Sequence, residues 1–161
     1  MEALRGGDGE VDAAVRIGGG QWGKLHSYRI AELFGTVVAA PELAVHAALL
    51  SQRGELPMVC LNQLEKHTRQ TLSAVGLTAQ PDRALRVDNY MGVVQAAERG
   101  LGVAVIYATP DKPFEANGRL VALSSDPIPA PFAMYFVCRQ GEAERPDLIA
   151  LREWLVDCIL A

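Results

Sequence analysis

Basic charge is in short supply in this chain: 15 Lys and Arg stand against 19 Asp and Glu, for a formal net charge of −4. Gripping nucleic acid needs concentrated cations, so if DNA is a partner it is met by a domain outside these residues. Cysteine is scarce too. Cys60, Cys138 and Cys158 are odd in number, far apart and set among apolar neighbours. That pattern argues against a disulfide framework and suits buried, reduced thiols in the cytoplasm. No apolar run approaches the roughly 20 residues of a membrane span, and MEALRGGDGEVD has no basic-then-apolar signal pattern. Internal repeats and low-complexity tracts are also missing. No H-E-x-x-H, C-x-x-C or G-x-S-x-G occurs, and His26, His46 and His67 lack ligand-like spacing. Neither a catalytic group nor a metal site is therefore expected, and no cofactor.

What is present is the composition of a soluble globular domain, 161 residues with 50% hydrophobic and 21% charged content. Its organising stretch is Val11–Gly23, VDAAVRIGGGQWG. Val11, Ala13, Val15 and Ile17 alternate with Asp12, Ala14 and Arg16, the period of a half-buried strand, and the strand runs into a glycine-rich loop. Gly18, Gly20 and Gly23 fit G-x-G-x-x-G, while Gly18, Gly23 and Lys24 fit the P-loop spacing. Both fits are weak. Leu25 stands where a P-loop needs a magnesium-binding hydroxyl, and no strand about 20 residues on ends in an acid for a ribose. A nucleotide-binding enzyme built on Gly18–Lys24 is nonetheless one reading to be tested.

Along the chain, strands are predicted at Val11–Ile17, Leu33–Ala39, Leu56–Leu61, Ala84–Val87, Val103–Tyr107, Arg119–Leu123 and Phe132–Cys138. Met1–Glu10 is expected to make at most a turn of helix. Pro41 introduces a helix over Glu42–Leu50, and Asn62 with Glu65 resembles a capping box before a helix with Leu64, Thr68, Leu72 and Val75 on one side. Asp88 or Asn89 caps a helix over Tyr90–Arg99, and Pro146 opens a last one striped by Leu148, Leu151, Leu155 and Ile159. This alternation predicts an α/β domain with a largely parallel sheet. His67, beside Lys66, is placed on a solvated helix face, Cys60 in the core, and Arg86 with Asp88 in a surface pair.

In α/β sheets, ligands bind outside the carboxyl ends of strands. Three such ends stand out here: Arg16–Gly20, Asp88–Tyr90 and Ile106–Ala108, the last centred on Tyr107. The first N–H groups of the helix at Tyr90 suit a carboxylate, and Arg16 suits it as a bidentate fork. The same residues have a plain structural use, Asn89 as a cap and Arg16 as a solvated strand residue.

Five segments resemble, in order and spacing, the effector-binding domain of LysR-type transcriptional regulators: Gly9–Gly23, Val37–Ala44, Arg86–Ile106, Asn117–Leu123 and Arg145–Leu155. The similarity is nearest the branch containing the glycine-cleavage activator and the β-lactamase regulator. It implies a type II periplasmic-binding-protein-like fold, with two subdomains, crossover strands and an effector cleft between them. Subdomain I would consist of 1–33 and 124–161, and subdomain II of 34–123. Effector-lining residues implied by the strand ends and the family pattern are Arg16, Ile17, Gly18, Gly19, Leu61, Asn62, Asp88, Asn89, Tyr90 and Tyr107. Relative to the family, the winged helix-turn-helix, linker helix and first strand and helix of subdomain I are missing, so the first subdomain is expected to be incomplete. The partners implied are a small anionic effector and a second copy or a full-length regulator. A stand-alone solute-binding or dimerising fragment is the remaining reading.

Overall fold

The computed structural model describes residues 11–161, and the expectation for Met1–Glu10 lies outside them. The chain forms two compact units. The first takes the described residues up to Leu33, Thr109–Pro113 and Pro129–Ala161; the second takes Phe34–Ala108 and Phe114–Ile128.

In the second unit, strand β2 (Leu25–Ala39) contributes its C-terminal half, followed by short helices α1 (Pro41–Ala44) and α2 (Ala47–Arg53). Then come β3 (Leu56–Leu61), a 3-10 turn at Asn62–Leu64, α3 (Glu65–Ala74), β4 (Ala79–Val87), α4 (Tyr90–Glu98), β5 (Ala104–Ala108) and β6 (Val121–Ala122). The runs VVA and LPMVCL are apolar at every position because both faces of this layer are covered. Val37, Met58, Cys60 and Val103 face a core closed by Ala47 of α2 and Leu72 of α3. Their neighbours Val38, Val59 and Ala104 face a second core, closed by Val93, Ala96 and Ala97 of α4. Strand β3 reaches the start of β5 through a parallel bridge, Met58 to Val103, with Val59 N–H donating to Val103 O at 2.9 Å and Val103 N–H to Pro57 O at 2.9 Å.

The first unit is built on β1 (Ala13–Gly18), the N-terminal half of β2, β7 (Ile128–Arg139) and α5 (Pro146–Leu160). β7 lies between β1 and β2, and β1, at the edge of the sheet among the described residues, runs antiparallel to β7, from Ala13 opposite Cys138 to Gly18 opposite Ala133. Phe136, Cys138 and Ile30 pack with Leu148 of α5. Ion pairs tie the entry to β1 to the start of α5: Arg145 meets Asp12 at 3.0 Å and Asp147 at 2.6 Å, and Arg139 meets Glu142 at 3.2 Å.

Several expectations are corrected. The sheet is not largely parallel: β1 with β7, β2 with β5 and β2 with β6 are antiparallel, while β3 with β4 is parallel. Val15 and Ile17 do not face a core but are 43% and 56% exposed on the edge strand. β2 begins at Leu25, eight residues before the β-branched run, so propensity yields here to sheet pairing. The helix expected over Glu42–Leu50 is two pieces separated at Val45–His46. Asn62 caps nothing, because the 3-10 turn comes first and Leu64 occupies the N-cap of α3. β4 is longer than expected because Gln80–Arg83 bulges out between Ala79 and Ala84, with Arg69 holding the Gln80 and Pro81 carbonyls. β6 is shorter than expected. β7 includes Pro129 and Pro131, which fall before Ala133, its first residue paired with β1. Cys158 is exposed, unlike buried Cys60 and Cys138, and Leu151 of the expected stripe is 41% exposed.

Gly102 shows how tightly the second unit is assembled: a Cβ there would lie 2.8–3.0 Å from the backbone of Met58. Gly102→Ala is expected to destabilise the chain by about 1–3 kcal/mol, read as a lower urea midpoint, whereas Gly19→Ala, whose Cβ meets nothing within 4 Å, serves as the silent control.

Candidate functional site

In the first unit, the loop after β1 is folded onto two aromatic rings. The Trp22 ring sits against Gly18, where a Cβ would come within 2.8 Å of it. Gly20, at φ +87°, sits equally close to the Tyr135 ring. Trp22 and Tyr135 meet edge to face with centroids 5.4 Å apart, and the Arg16 guanidinium lies over Trp22 at 5.7 Å. Arg16 is half-buried, Ile17 and Gly19 are exposed, and Gly18 is half-buried under Trp22. The glycines therefore make room for aromatic side chains. The loop leads into strand β2, not into a helix, so it offers no helix N-terminus to a phosphate. The nucleotide-binding alternative loses its basis there.

In the second unit, the carboxyl ends of β3 and β5 and the first turns of α3 and α4 enclose a small cavity. Cys60, Leu64, Thr68, Tyr90, Val105 and Tyr107 are among its walls, and its volume is about 10 Å³. The Tyr90 hydroxyl accepts from Tyr107 N–H at 3.0 Å and donates to the Tyr107 carbonyl at 3.4 Å, fastening α4 to β5. Thr68 donates to the Leu64 carbonyl at 2.9 Å. Burial raises the pKa of Tyr90, and it raises that of Tyr107 further, with the adjacent Tyr90 and Cys60 adding to the effect. Burial and Glu65 likewise push the Cys60 thiol up, so it is kept as an unreactive thiol.

Of the expected site residues in this unit, Leu61, Tyr90 and Tyr107 line this one cavity. Asn62 is exposed in the 3-10 turn. Asp88 and Asn89 are exposed before α4, where Asn89 Oδ1 accepts from Gly92 N–H at 2.8 Å, capping the helix, and Asn89 Nδ2 donates to Asp88 at 2.9 Å. Arg86 does not pair with Asp88. It donates to Glu65 at 2.6 Å, and Glu65 also holds Arg69 at 3.0 Å, because β4 lies beside the start of α3. Both arginines hold the Glu65 carboxyl below its usual pKa. His67 is likewise not on a solvated face: its half-buried ring stacks on Tyr107 with centroids 6.0 Å apart. Sequence reasoning missed His67 and placed Thr68 only in the core. The available signal was Thr68 and Thr71, two threonines inside a helix whose hydroxyls bond back one turn, to Leu64 and His67.

Among the described residues there is no His, Cys, Asp and Glu group able to hold a metal, and no helix is long and apolar enough to cross a membrane. Both units mix helices with strands. The family follows from comparison with known proteins: residues 4–158 match the LysR substrate binding domain, and the chain belongs to that family. It is 29% identical over 158 residues to the HTH-type transcriptional activator AmpR of Pseudomonas aeruginosa, covering 91% of this chain and 50% of that protein. It is 27% identical to the glycine cleavage system transcriptional activator of Escherichia coli K12, over 91% of this chain and 49% of that protein. The chain thus spans about half the length of the curated relatives it matches. Its fold is shared with the AmpR effector binding domain of Citrobacter freundii, at TM-score 0.72 and 18% identity, covering 92% of this chain and 74% of that one. It is shared also with full-length LysG of Corynebacterium glutamicum with bound effector Arg, at TM-score 0.65 and 20% identity, covering 93% and 51%.

Burial lowers the pKa of His67 from its usual 6.5, so the folded chain favours the neutral ring while the unfolded chain binds the proton more readily. The stability this confers is complete above about pH 6.5 and is lost as pH falls through that value towards the lower folded pKa. The urea midpoint is therefore expected to fall between pH 7.5 and pH 5, less steeply in His67→Phe, which keeps a ring on Tyr107. Titration with ATP and with NAD is expected to leave Trp22 emission unchanged; a saturable change with either would reinstate the nucleotide reading.

Proposed function

We propose that this chain is the ligand-sensing part of a LysR-type transcriptional regulator, binding a small anionic metabolite and controlling transcription through a DNA-binding domain elsewhere in a longer protein. The observation that carries this reading is membership of the LysR substrate binding domain family across residues 4–158. The residues proposed to meet the effector are Arg16, Ile17, Gly18 and Gly19 in the first unit, and Leu61, Asn62, Asp88, Asn89, Tyr90 and Tyr107 in the second. Arg16 supplies the cation, its guanidinium already oriented by Trp22. No catalytic step or cofactor is invoked, and the setting is the cytoplasm. Binding acts by favouring one of two arrangements of the protein, which requires different affinity for the two. Association is with a second copy or with a full-length regulator.

A second reading is a fragment that acts only by associating with full-length regulators, and the exposed Val15 and Ile17 on an edge strand favour it. Pull-down with a full-length regulator separates the two: the fragment reading requires capture without any metabolite, and capture that depends on metabolite speaks for sensing.

Thermal unfolding of the chain against a panel of anionic amino acids and short peptides tests the sensing role. At least one is expected to raise the midpoint, and Arg16→Gln to weaken its apparent affinity by about 10–100-fold, the weight of hydrogen bonds to a charged group. No response to any member of the panel, together with in-frame upstream codons that encode no helix-turn-helix, would overturn the proposal.

A further inference from the structure

The cavity of the second unit differs in chemistry from the Arg16 rim of the first. None of its lining side chains carries a charge at neutral pH, and its polar groups are largely committed. Thr68, 3% exposed, gives its hydroxyl to the Leu64 carbonyl, and the Tyr90 hydroxyl is engaged by both backbone groups of Tyr107. The nearby charges are compensated among themselves. Glu65 binds Arg86 at 2.6 Å and Arg69 at 3.0 Å, and Arg69 also donates to the carbonyls of Gln80 and Pro81. An ionised group entering this space loses its water and meets no counter-charge. A methyl or other small neutral group loses little, and the free space of about 10 Å³ sets its size.

We infer that this cavity reads an uncharged, methyl-sized group of the effector, and that Leu64 and Thr68 at the start of α3 set the size limit. The inference rests on the proposed function for the claim that the physiological ligand is a metabolite; the selectivity of the cavity is measurable without it.

Acetamide, acetate and acetamidinium have the same shape and differ in charge, so they serve as probes. In two-dimensional NMR of the full chain, acetamide is expected to shift the amide signals of Cys60, Thr68 and Tyr107 saturably, at concentrations at least tenfold below those needed for either ion. Leu64→Ala, which widens the cavity, is expected to make isobutyramide the better ligand by a similar factor. Leu64→Phe fills the space and is expected to abolish the acetamide shifts; should that variant not fold, the charge series and Leu64→Ala still decide. Equal or stronger shifts from acetate or acetamidinium, no saturable shift from any probe, or an unchanged size preference in Leu64→Ala would overturn the inference. Preference for acetamide without any stabilising metabolite supports the cavity's chemistry and counts against the regulator reading. A stabilising metabolite with no acetamide preference overturns the cavity inference alone.

Discussion

The second unit depends on one close approach, that of Gly102 to the backbone of Met58. It allows β3 to join β5 through Met58 and Val103, which are almost wholly buried. With that contact made, side chains alternate strictly between two cores, one under α2 and α3 and the other under α4. The carboxyl ends of β3 and β5 are thereby brought beside the first turns of α3 and α4, where the cavity lies. Hydrophobic burial supplies the drive, but a single missing side chain fixes the spacing.

The two-sided burial was legible in sequence because it leaves a direct mark: LPMVCL and VVA are apolar at successive positions. The helix at Tyr90 was legible for a similar reason, since Asn89 and Gly100 punctuate it. Strand direction was not, because alternating strands and helices look alike whether the chain returns parallel or antiparallel. Nor was the N-terminal half of β2. His26, Tyr28, Arg29 and Glu32 lend that stretch no β-branched run, and it is a strand because the sheet offers it a place beside β7.

At the site, the strand-end rule picked out Tyr90 and Tyr107 and the family resemblance added Leu61, and the three line one cavity. The rule missed His67, because a histidine beside a lysine on a helix carries no local sign that a tyrosine from another strand will lie against it. The glycine loop misled in a particular way. Glycine reports only that something comes close, and Gly18 and Gly20 admit the rings of Trp22 and Tyr135. Arg86 misled for the converse reason: its partner, Glu65, lies 21 residues away, beyond any spacing rule.

The pairing of Ala13 with Cys138 has a kinetic consequence. The first unit closes only when the two ends of the chain meet across nearly all of the second, and an open loop of that length is entropically costly to close. The second unit is almost one continuous segment, Phe34–Ala108 and Phe114–Ile128, and its strands find partners much nearer in sequence. The topology therefore predicts an order of assembly: the second unit is expected to form first and, by shortening the effective loop, to bring β1 and β7 within reach of each other.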